Sequence, residues 1–271
     1  MRRALYAAPL MAIVLGACAD NTQGVWDPPA PSEQGTPMAA VDDGITLSSW
    51  SAERLTGVYV DPKGTSTITF DLAKVGDDIF ADVKGIGGRP IVKIETTATD
   101  YLFTYMDGSL TLRTSKTFVA QARAMAQTNP EGVSTDGFAF TGDTNVLDDM
   151  LKLPEVAKLP ELSRALGVRG FTGNLYPSSF VLHKMARQSA DALGISVAKL
   201  DVPITENGYC QAYPNEWNQC YGMCGPGCSC WSWVCGNCCY HHGCAVHDSW
   251  CREGKWWWCY NISAVIALFG C

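Results

Sequence analysis

CYGMCGPGCSCWSWVCGNCCYHHGCAVHDSWC, residues 220 to 251, is the stretch that decides the fold of the carboxy-terminal part of this chain. It holds nine cysteines in thirty-two residues. A segment of this density forms either a disulfide scaffold or a metal cage. Inside it lies a Cys-x-x-His-Asp element, in which His247 and Asp248 follow Cys244, and this pair indicates chemistry.

The amino terminus predicts the compartment. Arginines at positions 2 and 3 precede an apolar stretch from Ala4 to Leu15, and Leu15-Gly16-Ala17-Cys18 has the small residues of a processing site that ends at a cysteine. The pattern resembles a bacterial lipoprotein signal, which implies a signal peptide at 1–17 and acylation of Cys18, with palmitate as a typical chain. An ordinary secretory peptide that is cut nearby is the alternative. Both predict export, and the lipoprotein reading places the protein in the bacterial cell envelope, anchored to the outer membrane.

The other twelve cysteines all lie between Cys210 and Cys271. Their even number allows six disulfides in an oxidising compartment, and their connectivity stays open. The disulfides would therefore hold one carboxy-terminal domain and leave the rest of the chain to fold without them.

Charge and hydropathy exclude some functions. A net charge of −7 and a pI near 5.1 argue against nucleic acid as a partner. The longest apolar stretch after the signal, 262–269, is far shorter than the ~20 residues of a membrane-spanning helix. Attachment to a membrane would come from the lipid. The sequence does not predict an oligomeric state.

The chain is predicted to be an α+β protein. After a Pro- and Asp-rich flexible tether at 18–50, we expect an antiparallel β domain at 51–125, a meander of about six strands that is curled or packed as a small sandwich. A helical connector at 126–205 and a disulfide-rich, mainly α domain at 206–271 follow. The six expected strands are 55–60, 66–72, 78–83, 90–97, 101–106 and 109–114, and Asp107-Gly108 marks a hairpin between the last two.

The connector has a helical period. Leu147, Met150 and Leu151 share one helix face, and two prolines then divide the segment into short pieces. A further helix is expected from Phe180 to Leu193. It contains His183, which we interpret as a structural residue.

Cys244, His247, Asp248 and Cys251 stand at i, i+3, i+4 and i+7, which places all four on one stripe of a helix. Upstream, the loop from Tyr221 to Gly227 contains three glycines, which let the backbone approach an ion and turn its carbonyls inward.

This combination, a Y-G-x-C-G-x-G loop followed by C-x-x-H-D with a vicinal Cys-Cys pair nearby, resembles the secreted phospholipase A2 family. The resemblance covers about fifty residues. It implies a calcium-dependent hydrolysis of phospholipid acyl esters at a membrane surface.

The resemblance also implies roles for single residues. His247 would be the general base, and calcium would be bound by the backbone carbonyls of Met223, Gly225 and Gly227 and the carboxylate of Asp248. The amide of Gly225 would donate to the oxyanion. A second carboxylate that orients the imidazole would come from upstream, with Asp201, Glu206 and Glu216 as candidates, or a neutral group would take its place.

Two other classes of function compete with a lipase. One is a zinc module built from Cys238, Cys239, Cys244 and nearby histidines. The other is a non-catalytic surface module in which the disulfide-rich unit binds a lipid, a glycan or a protein.

Overall fold

A computed structural model of the protein describes residues 24–26, 28, 43–64, 66–171, 177–193, 222 and 241–255. In these ranges the chain is an α+β protein, with an antiparallel sheet in its amino-terminal half and helices after it.

Eight strands form the sheet, and each pairs antiparallel with the next one along the chain. The order is therefore that of a meander, as predicted. The strands are β1 (Ile45–Trp50), β2 (Arg54–Val60), β3 (Thr67–Val75), β4 (Asp78–Lys84), β5 (Pro90–Thr96), β6 (Asp100–Tyr105), β7 (Leu110–Ser115) and β8 (Phe138–Gly142).

The alternation of side chains explains why one face of the sheet is a core. One row of facing positions across six strands is entirely apolar and at most 1% exposed: Leu55, Leu72, Ala81, Ile94, Phe103 and Leu112. The neighbouring row on the other face is polar: Thr56, Asp71, Asp82, Lys93, Thr104 and Thr111. Since side chains alternate with a period of two, this pattern gives one buried and one solvated face. The six strands predicted from the sequence, β2 to β7, are confirmed.

Two strands lie where the sequence predicted none. β1 takes the last six residues of the predicted tether at 18–50, and β8 lies within the predicted helical connector at 126–205. β1 and β8 are the two edge strands of the described sheet, and they pair with β2 and β7 respectively. Trp26 also contacts the sheet, because its backbone N–H donates to the backbone carbonyl of Thr96 over 2.6 Å. The prediction of a flexible tether is therefore wrong for 45–50.

Five helices are described. They are α1 (Lys116–Thr128), α2 (Val146–Leu151), α3 (Leu159–Val168), α4 (Phe180–Leu193) and α5 (His242–Arg252). Ser115 caps α1, accepting the amide of Phe118 over 3.0 Å. α3 begins at Leu159 with Pro160 in its first turn, where proline costs no helical hydrogen bond.

The helices share a core with the sheet. Buried apolar residues of the strands, of α1 to α4, and Val246 and Trp250 of α5 form one cluster. Helices, rather than the second sheet of a sandwich, thus pack on the buried face in the described ranges. The predicted boundaries at 125 and 205 do not divide this core, because α5 packs against α1 and the turn Pro130–Gly132.

None of the helices in the described ranges combines the length and the hydropathy needed to cross a bilayer.

Candidate functional site

The predicted His-Asp helix is present as α5. It begins after His241 and ends before Glu253, and it contains Cys244, His247, Asp248 and Cys251 in the predicted spacing. Seven of its eleven residues are buried, so neighbouring segments enclose it: Gly243, Cys244, Ala245, Val246, His247, Ser249 and Trp250.

Trp250 fixes α5 to the sheet side of the molecule. The indole is fully buried, and its Nε1–H donates to the carbonyl of Val133 over 3.0 Å. The ring meets Phe138 of β8 edge to face, with centroids 6.3 Å apart, and Phe138 in turn meets Phe118 of α1 at 5.2 Å. The helix that carries His247 is thus packed against β8 and α1 through three aromatic rings in contact.

His247 is only 3% exposed, and its imidazole faces the next residue in the chain. Nδ1 lies 3.1 Å from Oδ1 of Asp248. An ionised carboxylate can only accept, so this contact places the ring proton on Nδ1 and leaves the lone pair on Nε2. Sγ of Cys251, one turn further along the helix, lies 3.6 Å from Nε2.

Asp248 joins the helix to the start of the glycine loop. Its Oδ2 accepts the amide of Gly222 over 2.7 Å, and the carbonyl of Gly222 accepts the amide of His241 over 2.8 Å. Gly222 has φ 76, a left-handed conformation that favours glycine. The first glycine of the predicted loop is thus held at both backbone groups, within hydrogen-bond distance of α5.

The structure brings together His247, Asp248 and Gly222. Of the other predicted site residues, Met223, Gly225, Gly227 and Cys18 lie outside the described residues, as do Asp201, Glu206 and Glu216. Sequence reasoning sought an orienting carboxylate upstream and missed that Asp248, the neighbour of His247, reaches Nδ1 itself.

A buried lysine on α4 contacts the first turn of α5. Lys184 is 1% exposed, and its Nζ donates to Sγ of Cys244 over 3.3 Å. Burial and the charge of Lys184 lower the pKa of His241 to about 4. No sequence pattern marked Lys184, because residues 181–186 are buried all round and the helical period does not separate an inner from an outer face there.

His183 is a structural residue, as interpreted from the sequence. It is fully buried, with Nδ1 at 2.5 Å from Oγ of Ser163 and Nε2 at 2.7 Å from the carbonyl of Phe171. The carbonyl can only accept, so Nε2 carries the proton and Nδ1 accepts from the serine. Burial lowers the pKa of His183 to about 4, which keeps the ring neutral at physiological pH.

No group of three or more His, Cys, Asp or Glu that could hold a metal ion occurs within the ranges that the structure describes. Three of the four predicted calcium ligands are backbone carbonyls of residues outside those ranges. Comparison of the chain with family models, with curated proteins and with solved structures found no match.

Proposed function

We propose that the protein is an exported lipoprotein whose disulfide-rich carboxy-terminal part, 206–271, hydrolyses a phospholipid acyl ester with calcium as cofactor. One observation supports it most: Asp248 accepts from Gly222 of the glycine loop with one oxygen and lies 3.1 Å from Nδ1 of His247 with the other. The resemblance to secreted phospholipase A2 requires a histidine, a carboxylate and the loop at one place.

His247 would act through Nε2. Asp248 holds the Nδ1–H and stabilises the imidazolium that forms when Nε2 takes a proton. The proton comes from a water whose oxygen attacks the ester carbonyl carbon. When the tetrahedral species collapses, the acyl C–O bond breaks and Nε2 returns the proton to the leaving alcohol oxygen. The products are a fatty acid and a lysophospholipid.

Asp248 fits calcium by its chemistry. A carboxylate is the hard oxygen donor that calcium prefers, and the side chain of Asp248 is 19% exposed beside the loop. The carbonyls of Met223, Gly225 and Gly227 would complete the set. When bound, calcium supplies positive charge for a phosphate oxygen and for the oxyanion. The amide of Gly225 would donate to the same oxyanion.

Acylation of Cys18 would keep the protein near its substrate. Trp26, eight residues further on, is hydrogen-bonded to Thr96 at the end of β5. Eight residues span at most about 28 Å when fully extended, so the lipid would hold this end of the sheet close to the membrane surface. Labelling with a radioactive fatty acid tests this step, and loss of the label in Cys18→Ala is the expected result.

The main experiment is the release of fatty acid from mixed phospholipid vesicles, with and without a calcium chelator. We expect release by the native protein, suppression by the chelator, and no release by His247→Gln. His242→Gln, the same change on the same helix, is the matched control and should remain active. Hydrolysis that persists in the chelator or in His247→Gln would reject the proposal.

A non-catalytic binding module is the second candidate. The 3% exposure of His247 favours it, because an imidazole so enclosed needs an opening before water and an ester can reach Nε2. Vesicle binding that is retained without any fatty acid release, in the presence of calcium, would identify this module. A zinc module would instead show bound zinc and thiols that react after denaturation.

A further inference from the structure

A pocket of about 290 Å³ lies among three segments far in sequence from the His-Asp helix. It is formed by Arg89 and Pro90 at the start of β5, by the turn between β6 and β7, and by the outer face of α2. This volume is at the low end for ligand sites and suits a molecule of headgroup size.

Arg89 is fixed at the pocket by a buried carboxylate. Its Nη2 donates to Oε1 of Glu155 over 2.6 Å, and the same oxygen accepts the amide of Ile86 over 2.9 Å. Glu155 is fully buried, whereas the side chain of Arg89 is 43% exposed. Burial alone would raise the pKa of Glu155, but the backbone amides of Ile86 and of Glu155 itself, together with Arg89, hold that pKa below its usual value, so the carboxylate stays charged.

The buried position of Glu155 leaves one of its oxygens unpaired within the described ranges and requires a glycine at position 85. Among the described residues its Oε2 has no hydrogen-bond partner, and a buried acceptor left in this state is destabilising. A Cβ at Gly85 would lie 2.3 Å from Oε1, so only glycine leaves space for the carboxylate. The guanidinium is therefore anchored through Nη2, and the side chain of Arg89 keeps 43% of its surface exposed where it lines the pocket.

The hairpin turn between β6 and β7 has a left-handed backbone at two residues other than glycine. Met106 has φ 45 and Asp107 has φ 58, and they are the only residues other than glycine with positive φ in the part of the chain that the structure describes. Positive φ at successive residues is the usual backbone of a tight β-hairpin turn. Here it places Asp107, whose Oδ1 accepts from Oγ of Ser109 over 2.9 Å, at the pocket.

Asp149 of α2 provides a second carboxylate. It lines the pocket and is 67% exposed, with Nζ of Lys152 at 2.9 Å from its Oδ1. The pocket lining thus includes one anchored guanidinium, two aspartates and the apolar side chains of Met106 and Val146. A simple anion would be repelled by the two aspartates, and a simple cation would lie beside the positive guanidinium of Arg89.

We infer that this pocket binds a small zwitterion that carries a phosphate group and an ammonium group. The phosphate pairs with the free edge of Arg89, and the ammonium lies between Asp107 and Asp149. Phosphoethanolamine, free or as a lipid headgroup, has this chemistry. The choice of a lipid headgroup as one source rests on the proposed function, but the site itself does not.

The test uses the full chain as His247→Gln in a chelator, so that hydrolysis cannot contribute, and titrates phosphoethanolamine by NMR. We expect shifts at Arg89, Asp107 and Ser109. Asp107→Asn and Asp149→Asn should each weaken binding about threefold, the scale of an exposed charge pair. Arg89→Lys keeps a cation for Glu155 but loses the planar fork, and should weaken binding about tenfold.

Asp148→Asn is the matched control, because Asp148 precedes Asp149 on α2 and does not line the pocket. It should bind like the parent. Vesicles of phosphatidylethanolamine, compared with phosphatidylglycerol, which has no ammonium, then identify the source. Capture by phosphatidylethanolamine alone indicates a lipid headgroup, and binding of only the free compound indicates a soluble ligand.

Binding of phosphoethanolamine supports the site whether it occurs as a lipid headgroup or as the free compound. Equal binding of inorganic phosphate or of ethanolamine alone, an equal loss in Asp148→Asn and Asp149→Asn, or no shift at millimolar phosphoethanolamine overturns it. Since no step depends on hydrolysis, a failure here leaves the proposed esterase activity standing, and the converse also holds.

Discussion

Trp250 and Val133 are joined by a hydrogen bond of 3.0 Å across 117 residues of sequence. The bond runs from the indole of the His-Asp helix to the backbone just after α1. Together with the edge-to-face contact between Phe138 and Trp250, it joins the helix with His247 and Asp248 to β8 and to the segment before it.

Trp250→Phe should therefore loosen the helix while the ring contacts largely remain. The carbonyl of Val133 loses its buried donor, which costs about 1–3 kcal/mol in the free energy of unfolding. Amide hydrogen exchange along 242–252 should become faster than in the parent protein. Trp50→Phe on β1, where the indole is only half-buried, is the control and should cost less. Equal losses in the two variants would contradict the role given to the Trp250 bond.

Asp248→Asn tests the second relationship, between the helix and the glycine loop. The amide oxygen can still accept from Gly222, so the fold should persist, but the substitution removes the charge that faces Nδ1 of His247 and that we propose as a calcium ligand. We expect calcium affinity and fatty acid release to fall by at least about tenfold, the scale of losing an orienting or ligating carboxylate. Calcium titration and the vesicle assay measure the two effects.

Glu253→Gln is the control for that change, because Glu253 is an exposed carboxylate just past the end of α5. It should bind calcium as the parent does. Unchanged calcium affinity in Asp248→Asn would remove Asp248 from the proposed ligand set.

The sequence predicted the six central strands because each alternates over a buried face and is bounded by turn residues. β1 and β8 were not predicted, because their alternating patterns are interrupted or short. Ile45–Trp50 has two adjacent serines and a register shift after Leu47, and Phe138–Gly142 is five residues long. The spacing of His247 and Asp248 was enough to predict their helix. Their surroundings were not predictable, because Val133 and Lys184 reach the helix only through tertiary packing.

Acid should destabilise the protein through His183. Its pKa is about 4 in the folded protein against 6.5 unfolded, so the unfolded chain binds the proton first. The stabilisation is complete above pH 6.5 and is lost progressively as the pH falls toward about 4, at up to about 1.4 kcal/mol per pH unit. Denaturant unfolding at a series of pH values measures this slope.

His183→Gln should reduce the proton uptake on unfolding between pH 6.5 and 4 by nearly one proton, because glutamine does not titrate. The free energy of unfolding should therefore depend less steeply on pH in this window. Above pH 7.5 the variant and the parent should show the same pH dependence. A slope that stays the same in the acidic window would mean that His183 is not the group that takes up the proton.

Lys184→Met should raise the pKa of His241. The lysine charge is one of the two main causes that lower this pKa, the first being burial, so removing the charge should move the pKa from about 4 part of the way toward 6.5. The change is followed by the imidazole NMR signals against pH, and the pKa of His183, which the same charge lowers, should rise with it. Lys158→Met is the control, since Lys158 pairs with Glu161 and Asp61 and is not among the groups that shift either histidine. A pKa of His241 that stays near 4 in Lys184→Met would assign the shift to burial and to the neighbouring His242, and the buried ammonium would then have no electrostatic influence on the amino-terminal end of the His-Asp helix.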